Sequence, residues 1–151
     1  MITVTTKLRN LPFTVPSLHT KFEAMLKDLD YQGFDVSVIL TTNATIRNYN
    51  REYRNKDKAT DILSFPYYPD HIPGKRIKPT SNDEKNLGDI IISVERVAAD
   101  AKKYGVTFQE RFDIIIAHGI AHLLNYDHIT DEEFAVMQKV EKKLLKVIAA
   151  L

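Results

Sequence analysis

The spacing of apolar residues changes period repeatedly along this chain, and the order of those changes restricts its fold more than any other feature. Residues 2–8 alternate, with Ile2, Val4 and Thr6 against Thr3, Thr5 and Lys7, which is the period of a strand. Leu18, Phe22, Met25, Leu26 and Leu29 then fall at helical spacing. Val36-Ser37-Val38-Ile39-Leu40 reads as a second strand, and Thr42 or Asn43 can cap a helix running through Ile46, Tyr49 and Tyr53. Short strands are expected at Ile62-Leu63-Ser64-Phe65 and at Leu87–Ile92, the latter followed by a helix capped by Ser93 and carrying Val94, Val97, Ala98 and Ala101. Thr107-Phe108-Gln109-Glu110 is a capping box, and the helix it opens carries Phe108, Phe112, Ile115 and Ile116 to about Leu124. Thr130-Asp131-Glu132-Glu133 is a second box, opening an amphipathic helix with Phe134, Met137, Val140, Leu144 and Val147. The order is β-α-β-α-β, a loop, then β-α-α-α. It predicts an α+β fold, a small mixed β-sheet with helices packed on it.

A chain of 151 residues fits one domain, residues 1–151, without repeats or linkers. A domain of that size buries roughly 70% of its unfolded surface, so the fold needs no metal to hold it and a bound metal is free to be catalytic. Residues 66–86 hold four of the six prolines, and a loop that long in a small domain suggests function or mobility. The chain has no cysteine, which excludes disulfides and thiolate metal sites. A net charge of +1 excludes binding of nucleic acid through bulk charge, leaving only a local patch. The N-terminus lacks the pattern of a signal peptide and no apolar run approaches the ~18 residues of a membrane span. The expectation is a soluble cytoplasmic protein with no membrane partner.

Chemistry concentrates in His118-Gly119-Ile120-Ala121-His122-Leu123-Leu124-Asn125-Tyr126-Asp127-His128, which holds three of the five histidines. His118 and His122 are four apart on a predicted helix, so they share a face and reach one ion. His128 must return to the same ion through a turn. Asn125 suits that turn, being the best residue after glycine for the left-handed conformation that closes a helix. Tyr126 would anchor it, and Asp127 could orient a ligand imidazole from behind. Three neutral imidazoles leave one tetrahedral corner for water, the mark of a catalytic zinc site. His19 and His71 stand alone and read as ordinary histidines. Gly119 costs a helix ~1 kcal/mol against alanine, which is reasonable only where something approaches the backbone closely.

The same spacing occurs in metzincin peptidases, where a glutamate follows the first histidine and acts as general base. Here that position is Gly119, so the peptidase proton shuttle is missing. Proteolysis therefore ranks below phosphodiester hydrolysis.

Residues 47–58 carry five basic against two acidic residues, with tyrosines interleaved. Arg51, Arg54 and Lys56 could contact phosphates there. By composition alone, the plainer reading is a solvated helix face with Tyr49 and Tyr53 packed inward. Three blocks carry a more specific signal: Asn50-x-x-Tyr53-Arg54-x-Lys56-Asp57-x-x-Thr60-Asp61-Ile62-Leu63-Ser64-Phe65-Pro66; Leu87-Gly88-Asp89-Ile90-x-Ile92-Ser93; and His118-Gly119-x-x-His122-Leu123-x-x-Tyr126-Asp127-His128. Over roughly residues 45–145 the chain resembles the YbeY family of bacterial metal-dependent endoribonucleases. It departs from the family in having Ala121 for the usual leucine and Asn125 for the usual glycine; neither is a ligand.

The resemblance implies an α+β fold with Zn2+, or a similar ion, held by His118, His122 and His128 in a cleft between helices and sheet. It implies that Arg54 serves RNA cleavage and that the substrate is single-stranded ribosomal RNA, notably at the 3′ end of the small-subunit RNA. The small ribosomal subunit and its assembly factors are the implied partners. In the mechanism this suggests, the metal at His118 and its fellow ligands activates water or polarises the phosphate that Arg54 also contacts. Lys75, Arg76 and Lys78, on the proline-rich loop, are candidates for guiding the strand into the cleft. The rival readings are a non-catalytic, metal-containing assembly factor that binds RNA, and a metallopeptidase-like hydrolase.

Overall fold

The computed structural model describes residues 1–151. Its elements follow the period changes in order: β1 (Ile2–Thr6), α1 (Val15–Asp28), β2 (Asp35–Thr41), α2 (Asn43–Arg54), β3 (Ile62–Pro66), β4 (Asn86–Ser93), α3 (Val94–Tyr104), α4 (Phe108–Leu123) and α5 (Asp131–Ala149). The sheet runs β1-β2-β4-β3, with β1, β2 and β4 parallel and β3 antiparallel to β4. It is the small mixed sheet expected.

Strand β4 sits inside the sheet and is buried along most of its length, as a strand covered on both faces should be. Its alternate residues serve two cores. Ile90 and Ile92 join Val36, Val38 and Leu40 of β2 in the main core, beneath Phe22 and Met25 of α1 and Phe112, Ile116 and Ile120 of α4. Ile91 turns the other way and packs with Leu63 of β3 and Ile46 of α2 in a small second core. Helix α2 therefore lies on the opposite face from α4. Pro66, which cannot donate to a ladder, is tolerated because β3 is an edge strand.

The caps explain where the helices start. Thr42 caps α2 by accepting from the N–H of Thr45, while Asn43 accepts from the Ser93 hydroxyl at 2.7 Å. Ser93 in turn caps α3. Thr107 and Thr130 accept from the N–H groups of Glu110 and Glu133, each at 3.1 Å. The glutamates of both boxes receive the threonine hydroxyl, not the cap backbone N–H.

Helix α4 is the axis of the molecule. Phe112, Ile115, Ile116, Ala117, Gly119, Ile120, Ala121 and Leu123 are all buried. Gly119 has its close neighbour: a Cβ there would lie 2.7 Å from Cδ1 of Ile62 and 3.1 Å from Cδ1 of Ile90. Absence of a side chain lets the helix settle onto the sheet. Gly88 answers a tighter constraint, since its φ is +122° and a Cβ would lie 2.1 Å from the carbonyl oxygen of Phe65.

Residues 67–85 contain only one 3₁₀ turn, Asn82–Glu84, yet they are pinned at several points. Ile77 is buried, and its N–H donates to the Tyr31 hydroxyl at 3.0 Å. The Tyr68 hydroxyl donates to the carbonyl of Glu84, and Thr80 donates twice to the Glu84 carboxylate. No helix is long and apolar enough to cross a membrane.

Candidate metal centre

The last turn of α4 and the turn after it build the site. Asn125 adopts φ 64°; its N–H donates to the carbonyl of His122 at 2.9 Å, and that of Tyr126 to the carbonyl of Ala121 at 3.1 Å. That pair of bonds is the Schellman motif, with asparagine in the left-handed position glycine usually fills. Tyr126 packs on the main core and fixes the exit direction of the chain. His128 is thereby turned back over the helix end. The ligand nitrogens of His118, His122 and His128 lie within 4.8 Å of one another. Nε2 of His118 and Nε2 of His122 are 2.9 Å apart. A tetrahedral ion at ~2.0–2.1 Å from its nitrogens separates them by about 3.3 Å, so small side-chain adjustments suffice to close the set around one ion. The donor set thus fits a zinc-like ion. No further His, Asp or Glu joins it. His19 and His71 lie outside the group.

Two features prepare the imidazoles. Burial, followed by the neighbouring His118, pulls the pKa of His122 from 6.5 to about 4, so it is neutral at pH 7 and offers a lone pair. Nδ1 of His118 lies 3.0 Å from a carboxylate oxygen of Glu141 on α5. With Nδ1–H donating to that carboxylate, Nε2 is left free as a ligand. Glu141 has no sequence signal: it stands 23 residues from His118 on a different helix, and only packing of α5 on α4 unites them. Asp127 holds a different post. Its carboxylate accepts from the backbone N–H of His128 at 2.8 Å, so it shapes the turn, and its charge partly opposes the drop in the His122 pKa. No hydrogen bond joins it to a ring nitrogen.

The histidines open onto a cleft of about 780 Å³. One wall is the histidine-bearing turn, from Asn125 to His128; the other is edge strand β3 with Thr60, Asp61, Tyr53 and Arg54. Arg54 is the last residue of α2, exposed beside the left-handed Asn55 that ends the helix. Tyr49 is half-buried against the second core, as the plainer reading of the segment expects, but Tyr53 is 62% exposed. Its ring stacks on Tyr49 at 6.0 Å and meets Phe65 edge-on at 5.7 Å, giving the cleft an aromatic wall. Beneath the cleft, Arg111 of α4 reaches Asp61 at 3.5 Å and Asp100 at 4.0 Å, with its guanidinium over the Tyr104 ring.

Several expected RNA contacts fall elsewhere. Arg51 faces Asp57 at 3.6 Å and donates to Asn48 at 3.0 Å, away from the cleft. Lys75, Arg76 and Lys78 do not line the cleft either. Arg76 is drawn to the Tyr31 ring, 4.6 Å from its centroid, and to Asp30 at 3.1 Å. The proline-rich loop reaches the cleft at Pro69 instead, and Asn125 fastens it there. The Asn125 amide donates to the carbonyls of Tyr68, Pro69 and His71 at 2.9, 3.1 and 2.9 Å. Lys56 lines a neighbouring pocket together with Arg54.

The fold is similar to the solution structure of a Thermotoga maritima protein, with a TM-score of 0.68 and 24% identity over 98% of this chain and 89% of that one. The chain is 37% identical over 120 residues to Endoribonuclease YbeY of Caldicellulosiruptor bescii, covering 78% of this chain and 75% of the relative. It is 40% identical over 113 residues to Endoribonuclease YbeY of Carboxydothermus hydrogenoformans, covering 75% and 71%. To Endoribonuclease YbeY of Clostridium botulinum it is 35% identical over 149 residues, covering 85% and 89%. Residues 4–149 match the family described as Endoribonuclease YbeY, and the chain belongs to that family.

Proposed function

We propose that this protein is a cytoplasmic, metal-dependent endoribonuclease that cleaves single-stranded ribosomal RNA, acting on the 3′ end of the small-subunit RNA together with the ribosomal subunit and its assembly factors. His118, His122 and His128 hold one Zn2+. The observation that carries this reading is the convergence of three imidazole nitrogens on a cleft that Arg54 also lines. The activity follows from kinship with the relatives named Endoribonuclease YbeY.

When bound, the ion supplies a Lewis acid and an acidified water for phosphodiester cleavage. The chain's own groups do the rest. Glu141 keeps the His118 ring in its tautomer and orientation. Arg54 meets the phosphate with a guanidinium that has no carboxylate partner, so its charge is available for the negative charge that develops on the phosphoryl oxygens. Tyr53 offers a base a stacking face, worth about 1–3 kcal/mol per base in single-strand binders. Asn125 ties the loop at Pro69 to the histidine-bearing turn, so loop and turn form one edge of the cleft.

The donor set favours catalysis over a structural metal, because three protein ligands would leave a fourth position for water. Peptidase chemistry lacks its general base: position 119 faces Ile62 and Ile90, and even a Cβ there is crowded. The test is to incubate the purified protein with single-stranded RNA and with casein, with and without chelator. RNA cleavage that chelator removes, with casein untouched, is the expected result. Casein cleavage, or RNA binding without any cleavage, refutes the reading.

A further inference from the structure

At Arg54 the chain builds a second concavity, of about 500 Å³, which shares that residue with the histidine cleft but is lined by none of the histidines. Arg54, Lys56, Lys58 and Arg96 line it, and no Asp or Glu does. The acid nearest in sequence, Asp57, is turned outward. Arg47 donates to its two oxygens at 2.9 and 3.2 Å, and Arg51 approaches at 3.6 Å. Arg54, Lys56 and Lys58 are left without a carboxylate partner. Arg96 keeps one, donating through Nε to Asp100 at 3.1 Å, which orients its guanidinium.

The loop bearing the lysines is held in place. Asn50, only 2% exposed, lies beneath it. Its backbone carbonyl accepts from the N–H groups of Asn55 and Lys56, and its amide donates to the carbonyl of Lys58 at 2.9 Å. Asn50 thus fixes both ends of residues 55–58, the first through its backbone carbonyl and the last through its buried amide. Solvated surface lysines need no such tether. Gathering like charges in a concavity with no counter-charge raises the local positive potential and draws anions. Arg54 and Thr60 line both this pocket and the metal cleft, so the two form one trough.

We propose that this pocket is a second phosphate subsite, which holds the backbone phosphate next to the one at the histidines and so provides much of the grip on the strand. The proposal rests on the endoribonuclease reading. Lys58 and Arg96 are its specific members, for they line the pocket and not the metal cleft.

The experiment compares wild type, Lys58→Glu, Arg96→Gln and a control, Lys146→Glu on α5, on a single-stranded RNA ten-mer and on a dinucleotide with a single phosphodiester. Thermal unfolding of each variant checks the fold. Lys58→Glu should weaken ten-mer binding at least tenfold, with Arg96→Gln following by a smaller factor. Each lost phosphate contact should make the dependence of log affinity on log salt shallower by about one. Dinucleotide cleavage should stay within twofold of wild type, because one phosphate has no use for the pocket. Lys146→Glu should change neither. Ten-mer affinity within twofold of wild type in Lys58→Glu overturns the proposal, as does an equal loss on both substrates. If wild type neither binds nor cleaves the ten-mer, the endoribonuclease reading falls and this proposal with it.

Discussion

The two walls of the cleft are made in opposite ways. The histidine wall stands on α4, a helix buried on nearly every side, closed by a Schellman turn and braced by Glu141 from α5. The Arg54 wall stands on the exposed end of α2 and a loop tethered through Asn50. One wall is held rigidly by burial and bracing, as three ligands of one ion would need, since such ligands must meet within tenths of an ångström. The other presents long cationic side chains that follow a flexible strand. Coordination chemistry demands preorganisation, whereas phosphate recognition tolerates and uses side-chain freedom.

Breaking the rigid wall should have the largest effect. His122→Ala removes a ligand, and metal content and RNA cleavage should vanish together; cleavage that survives without metal breaks the link between the two. Arg54→Ala acts on the opposite wall. It should leave one ion per chain while cleavage falls about 10²–10³-fold, the size expected for a lost transition-state charge contact. A variant with unchanged cleavage removes Arg54 from the chemistry.

Smaller changes sharpen the contrast. Glu141→Gln should weaken metal affinity by about 10–100-fold, as removal of an outer-shell carboxylate does. Metal titration measures it, and unchanged affinity would show that the ring needs no brace. Tyr53→Ala should cost about 1–3 kcal/mol of RNA binding and leave metal affinity alone.

The pH response belongs to the rigid wall and is read in stability, not in cleavage. His122 has its pKa lowered from 6.5 to about 4 on folding, so the unfolded chain binds its proton more readily. The stability this neutral imidazole contributes is fully present above about 6.5 and is lost as pH falls toward about 4. In chelator, the urea midpoint of wild type should therefore drop more between those values than that of His122→Gln. Parallel profiles for the two proteins contradict the assignment.

The same contrast governs what could be read from the sequence. Most of what is local was legible, Asp127 excepted, which accepts from the N–H of His128 and not from a ring. The helical pair at His118 and His122, the left-handed residue at Asn125 and the threonine caps depend on neighbours a few residues away. The alternating and helical periods carried the fold class, since each face of the sheet is set by residues two apart. What depends on packing was silent. Glu141 reaches His118 only after α5 docks, and Asn125 clamps the proline-rich loop only after that loop crosses the turn. Where Lys75, Arg76 and Lys78 lie was also silent, because a basic loop carries no mark of its place; Tyr31 and Asp30 hold Arg76 outside the cleft. Gly119 was legible as a missing base, but its packing against Ile62 was not.

One ion at the three histidines, on this reading, carries the cleavage of RNA. The most direct measurement strips the wild-type protein with chelator, confirms its fold by circular dichroism, and titrates zinc back while following cleavage of single-stranded RNA. Cleavage should be absent at the start, rise in proportion to bound zinc and level off at one ion per chain. Full cleavage by the stripped, folded protein, or none after one ion per chain has been restored, would contradict it.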